Sequence, residues 1–118
     1  MKESIIQRRS FEFALEIIRI CRTIQNQHEY VISKQLMRSG TSIGANVEEA
    51  SAGQSRKDFL PKMCIASKEA RETRYWIRLL RESKLIELDL SKELQEIEEI
   101  IRILTSIVKT TSESSKNS

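Results

Sequence analysis

Arg71, Arg74, Arg78 and Arg81 recur at three- and four-residue steps, which on a helix turning 100° per residue gathers four guanidiniums within about 80° of arc. Cations repeated at about one-turn intervals suit contact with a phosphate backbone, because each neutralised phosphate releases condensed counterions. Arg78 has Glu82 four residues on as an in-helix partner, whereas Arg71, Arg74 and Arg81 have none at that spacing. The competing account is neutralisation by another helix, and the acidic run holding Glu93, Glu96, Glu98 and Glu99 supplies the charge for it. Tyr75 and Trp76 lie off the centre of the stripe. No base-stacking platform therefore accompanies the arginines, and contact with RNA or DNA would be directed at the backbone with little sequence preference.

Other chemistries fail on inventory. A di-iron bundle site requires Glu-x-x-His on two helices, and the only histidine, His28, falls in a polar run. Glu69-x-x-Glu72 without a histidine reads as a surface pair. No serine or cysteine has a base within a recognisable motif, and two isolated cysteines, Cys21 and Cys64, do not make a zinc site. Catalysis, metals and cofactors are accordingly not expected. Gly40 and Gly44 do not make a phosphate loop, because the spacing is Gly-x3-Gly with no lysine and no preceding strand. They read instead as a surface of close helix-to-helix approach, since each glycine costs about 1 kcal/mol against alanine inside a helix. Beside them, Arg38 and Glu49 are candidate registry contacts, with Glu69 or Glu72 across an interface within or between subunits.

The elements that must position these residues are helices. Three glycines and one proline among 118 residues provide almost no turn chemistry for strands. Apolar spacing predicts helices over about residues 3–25, 30–52, 58–84 and 91–110, with Ser55 and Asp58 resembling a capping box, Gly53 ending the second helix and Ser91 capping the fourth. Pro61 requires either that Asp58 is the true N-cap of the third helix or that the helix is distorted there. Short connections between four long helices imply an all-α, antiparallel up-down-up-down four-helix bundle over residues 1–110, followed by a disordered tail over 111–118. Helices one and four carry more apolar width than one core needs, and a surplus of that kind marks an interface, so the chain is expected to be a homo-oligomer.

Net charge is +3 and unevenly spread: residues 56–84 hold nine basic and four acidic side chains, residues 85–118 four and seven. The cysteine count and the absence of a targeting pattern or an 18-residue apolar run point to a cytoplasmic protein with reduced thiols and no membrane span.

Phe11-Glu-Phe-Ala14, the stretch Ser33-Lys-Gln-Leu-Met-Arg-Ser-Gly-Thr-Ser-Ile-Gly-Ala-Asn-Val-Glu-Glu-Ala50, Ser55-Arg-Lys-Asp-Phe59, Ile65-Ala-Ser-Lys-Glu-Ala-Arg-Glu-Thr-Arg-Tyr-Trp76 and Leu104-Thr-Ser-Ile107 carry a resemblance. The chain resembles the four-helix-bundle family named for proteins encoded in 23S rRNA intervening sequences. Pro61 departs from that family's pattern. The resemblance implies a cytoplasmic, non-enzymatic, ring-like homopentamer, akin to the accessory variability protein of diversity-generating retroelements, which binds nucleic acid and a reverse transcriptase. Two functions follow as expectations. One is a nucleic-acid-associated adaptor using the arginines of the third helix, with Arg8, Arg19 and Arg22 of the first as further cations. The other is an assembly module for a protein partner, with those arginines paired internally.

Overall fold

A capping box opens the first helix: the Ser4 hydroxyl accepts from the Gln7 amide while the Gln7 side chain accepts from the Ser4 amide. The computed structural model describes residues 3–53 and 55–116. Four helices follow in order, α1 (Ile5–Asn26), α2 (Val31–Ala52), α3 (Arg56–Ser83) and α4 (Ser91–Lys116). Consecutive helices pack side by side and α4 returns to α1, so α1 and α3 stand at diagonal corners of the bundle. Every register runs antiparallel. Ser10 and Ile17 of α1 meet Gly44 and Gly40 of α2, Arg38 and Glu49 of α2 meet Glu72 and Lys62 of α3, and Arg71 and Arg74 of α3 meet Thr105 and Glu98 of α4. The result is the expected up-down-up-down bundle, 51 Å along its longest axis.

Helix ends depart from the sequence expectations in instructive ways. Glu29, assigned to a loop, caps α2: its carboxylate accepts from the amides of Val31, Ile32 and Ser33 at 2.8–3.1 Å, groups that have no partner inside the helix. The Ser55 hydroxyl donates to Asp58 at 3.2 Å and makes no cap bond to an amide, so the capping box expected there does not form. Asp58 lies in the first turn of α3 and is not its N-cap. Pro61 therefore falls beyond the first turn, where its missing N–H deprives the Lys57 carbonyl of its helical donor. Asp89, not Ser91, anchors the start of α4 by accepting from the Ser91 amide at 3.0 Å and the Ser91 hydroxyl at 2.6 Å, and these bonds hold its carboxyl below the ordinary range. Gly53 ends α2 in an extended conformation, while Lys84 takes the left-handed one after α3. The fourth helix continues to Lys116, past Thr110, and residues 117 and 118 of the expected tail lie outside the described residues.

The core is aliphatic. Ile17, Ile24, Leu36, Ile43, Ile77, Leu80, Ile97, Ile100 and Leu104 are fully buried, each contributing about 1.5–3 kcal/mol relative to exposure. The surplus apolar width of α4 is consumed by the bundle itself, since Ile100 is buried and Ile103 and Ile107 pack against the core. The surplus on α1 is not, and Phe11, Leu15 and Ile18 remain exposed.

The two glycines of α2 face α1 of the same chain. A Cβ at Gly40 would lie 2.9 Å from Cγ2 of buried Ile17, so only glycine lets the helices approach this closely. At Gly44 the nearest atom would be the Ser10 carbonyl oxygen at 3.4 Å, an ordinary contact. The close-approach reading holds fully at Gly40 and only weakly at Gly44.

Candidate functional site

Arg38 projects from α2 across to α3, where its guanidinium donates to Glu69 at 3.2 Å and to Glu72, while its Nε donates to Gln35 at 3.2 Å. Glu72 also accepts from the Trp76 indole at 2.9 Å, so the two acids of α3 are drawn into one polar lattice on the α2–α3 surface. Beneath it, a hydrogen bond of 2.9 Å links the buried hydroxyls of Ser39 and Thr73. Glu49 takes a different partner from the acids' neighbour Arg38, pairing with Lys62 at 2.7 Å. These contacts set the register of two helices within one chain. They leave no free donor set for chemistry.

The arginine stripe of α3 is divided by its surroundings. Arg74 reaches Glu98 of α4 at 3.3 Å, as the neutralising account requires. Arg81 pairs with Glu82 at 3.0 Å, which removes the in-helix partner expected for Arg78. Arg78 is exposed and has no ion-pair partner among the described residues. Arg71 donates only to the hydroxyl of Thr105, at 3.2 Å.

Along the seam of α3 and α4, Arg71 and Arg74 are joined by Arg102 and Lys109, two cations that sequence reasoning overlooked. They share the walls of a shallow groove of about 550 Å³ with Glu98, Thr105 and Ser106. Arg102 and Lys109 lie seven residues apart, two turns on one face of α4, and neither has an acidic partner among the described residues. A signal for them existed in that seven-residue step. It was masked because the last quarter of the chain is acidic in sum, while two of its acids, Glu96 and Glu99, point to the other side of α4. Glu96 and Glu99 are turned to the α1 side, where both accept from Arg9, Glu96 at 3.1 Å; bonding to Glu99 foremost raises the Arg9 pKa.

The α1–α4 seam holds the other electrostatic anomaly. Glu93 is only 5% exposed and shares a groove with Glu12, Glu16, Arg19, Lys92 and Glu96. Burial raises its pKa, and a hydrogen bond and repulsion from Glu16 act in the same direction. Glu16 is itself held by Arg19 at 2.8 Å. Cys21, buried against the carbonyl of Ser33, has its thiol pushed up to about 11 by burial, which makes it a poor nucleophile. His28 sits 3.2 Å from the Tyr30 hydroxyl, and no group of three or more His, Cys, Asp or Glu among the described residues is placed to hold a metal ion. No helix among the described residues is long and apolar enough to cross a membrane.

The family model described as 23S rRNA-intervening sequence protein matches residues 2–106. A crystal structure from Bacteroides thetaiotaomicron, of a protein with unknown function from the S23 ribosomal protein family, superposes with a TM-score of 0.84 at 44% identity, covering 89% of this chain and 99% of that one. No curated protein matches the chain.

Proposed function

The chain belongs to the 23S rRNA-intervening sequence protein family, and from that premise we propose that it is a non-enzymatic, homo-oligomeric adaptor that holds nucleic acid along the seam of α3 and α4. Five copies is the number that the family resemblance implies. The observation that carries the reading is the set of Arg71, Arg102 and Lys109: three cations along one groove with a single acid, Glu98, which is paired to Arg74, and none of the three in an ion pair among the described residues. Cations that neutralise phosphates release the counterions condensed on the nucleic acid, and that release supplies much of the free energy of binding. Hydroxyls of Thr105 and Ser106 beside them offer neutral donors to the same oxygens. Arg74, shared with Glu98, adds less than a free guanidinium, and Arg78 extends the strip one turn along α3.

A salt titration with a structured RNA tests the reading. Affinity is expected to fall linearly with log salt, by a slope of about 0.7–0.9 per phosphate contacted. The triple change Arg71→Ala, Arg102→Ala and Lys109→Ala should flatten that slope by about two to three such contacts. Arg8→Ala with Arg19→Ala, on α1 and outside the α3–α4 groove, should leave it unaltered. Absence of binding at low salt, or binding indifferent to the triple change, would sink the proposal. It would leave the second reading, favoured by the exposed apolar face of α1, of an assembly module for a protein partner such as a reverse transcriptase.

A further inference from the structure

Tyr75 stands on the outer face of α3 with 54% of its surface exposed. Its ring is not loose. It packs edge to face with Trp76, centroids 5.2 Å apart and planes at 70°, and Trp76 is fixed in turn by packing on the core and by its indole, which donates to Glu72 at 2.9 Å. Three cations share that face: Lys68 seven residues before Tyr75, Arg71 four before and Arg78 three after. All three are exposed, and none is in an ion pair among the described residues.

The four arginines of α3, counted as one stripe at 100° per residue, centre about 80° from Tyr75, which is why the sequence places the ring to one side of them. The structure withdraws two of the four. Arg74 is turned to Glu98 at 3.3 Å and Arg81 to Glu82 at 3.0 Å. The cations left free, Lys68, Arg71 and Arg78, centre within about 30° of the ring on the same wheel. The acids closest to this face are engaged elsewhere, Glu72 with Arg38 and Trp76, Glu82 with Arg81. An anchored aromatic ring therefore has an uncompensated cation on either side of it along the helix.

We propose that Tyr75 is a stacking platform for an unpaired base, with Arg71 and Arg78 on the phosphates to either side, so that the α3 surface selects single-stranded segments of a nucleic acid. This deepens, and rests on, the nucleic-acid reading above. Every base has a π face, so a stacking site tolerates any sequence, whereas a base inside a duplex cannot present its face to the ring. The two guanidiniums are seven residues apart, about 10 Å along the helix, with the ring between them. Because the contact with Trp76 already holds the ring, little side-chain freedom is lost when a base stacks on it. From Arg71 the groove holding Arg102 and Lys109 continues the path onto α4 for the phosphates that follow.

The test titrates the full chain, across a range of salt, with three RNA probes of about twelve nucleotides: a single strand, the same strand in a full duplex, and the same strand with abasic sites through its centre. Tyr75→Ala and Tyr75→Leu should each weaken the single strand by about five- to a hundredfold with the salt slope unchanged, and leave the duplex within about twofold. Wild type should bind the abasic strand as weakly as Tyr75→Leu binds the intact one. Tyr75→Phe, which keeps the ring face, should stay within about threefold of wild type on the single strand. Circular dichroism and melting should persist in all three variants, because the site is exposed. A DNA strand of the same sequence runs beside the RNA, and the Tyr75 effect on either one supports the platform and names the strand it takes. A loss shared equally by single strand and duplex, or no loss at all, would overturn the platform and leave the nucleic-acid reading standing. No binding of any probe by wild type would remove both.

Discussion

At the scale of single residues, the two glycines of α2 separate cleanly once their surroundings are known. Alanine at Gly40 drives a methyl into Ile17, so Gly40→Ala should destabilise the fold by about 1–3 kcal/mol despite the gain in helix propensity. Alanine at Gly44 meets the Ser10 backbone at contact distance, and Gly44→Ala should be neutral or stabilising by up to about 1 kcal/mol. Chemical denaturation of both variants checks the contrast; equal losses would mean that the α1–α2 approach is not the cause. Glu93 makes a prediction about pH. Its folded pKa is raised above the ordinary 4.5, so its contribution to stability is fully present below that value and is lost as pH rises through the folded one. Glu16, Glu12 and Arg19 from α1, with Lys92 and Glu96 from α4, are the charges around it. Glu93→Gln should therefore melt higher than wild type at pH 8, with the gap shrinking towards pH 4. A gap independent of pH would assign the effect to packing.

At the scale of elements, Arg38 ties α2 to α3 through Glu69 and Glu72. The site is half-exposed, so water and salt screen it, and Arg38→Ala is expected to cost about 0.5–1 kcal/mol. A double-mutant cycle with Glu69→Gln should return a coupling of similar size, measured from melting curves in low salt. No coupling would mean that the pair is geometric only. The same register explains the arginines of α3. Their spacing was legible from the sequence, and so was an acidic fourth helix, yet which guanidinium meets which carboxylate depends on how α3 and α4 are rotated about their axes. Rotation sends Glu98 to Arg74 and turns Glu96 and Glu99 towards Arg9, which leaves Arg71, Arg102 and Lys109 uncompensated in one groove.

At the scale of the molecule, one bundle buries the inner faces of four helices and leaves the outer face of α1 apolar. If copies associate through it, the melting temperature should rise with protein concentration, because association binds the folded state alone. Differential scanning across a hundredfold range of concentration measures this. Leu15→Glu should remove the dependence without lowering the limiting value at high dilution. A wild-type melt indifferent to concentration would count against association.

Apolar periodicity and the scarcity of glycine and proline were enough to determine helix number, approximate length and antiparallel order, because a 3.6-residue stripe has to be buried and a short connection has to reverse the chain. The helix starts at Glu29 and Asp89 were not legible from the sequence, since a carboxylate near a helix end becomes a cap only through its rotamer and the local backbone. Nor was the distribution of charge over surfaces. A sequence states how many cations and anions a helix carries, but their pairing depends on axial rotation and register, which are decided by the packing of apolar residues in the core. Tertiary structure alone therefore decided that Gly40 and not Gly44 bears the close approach, that α4 buries its surplus apolar width while α1 does not, and that the free cations gather on the seam of α3 and α4.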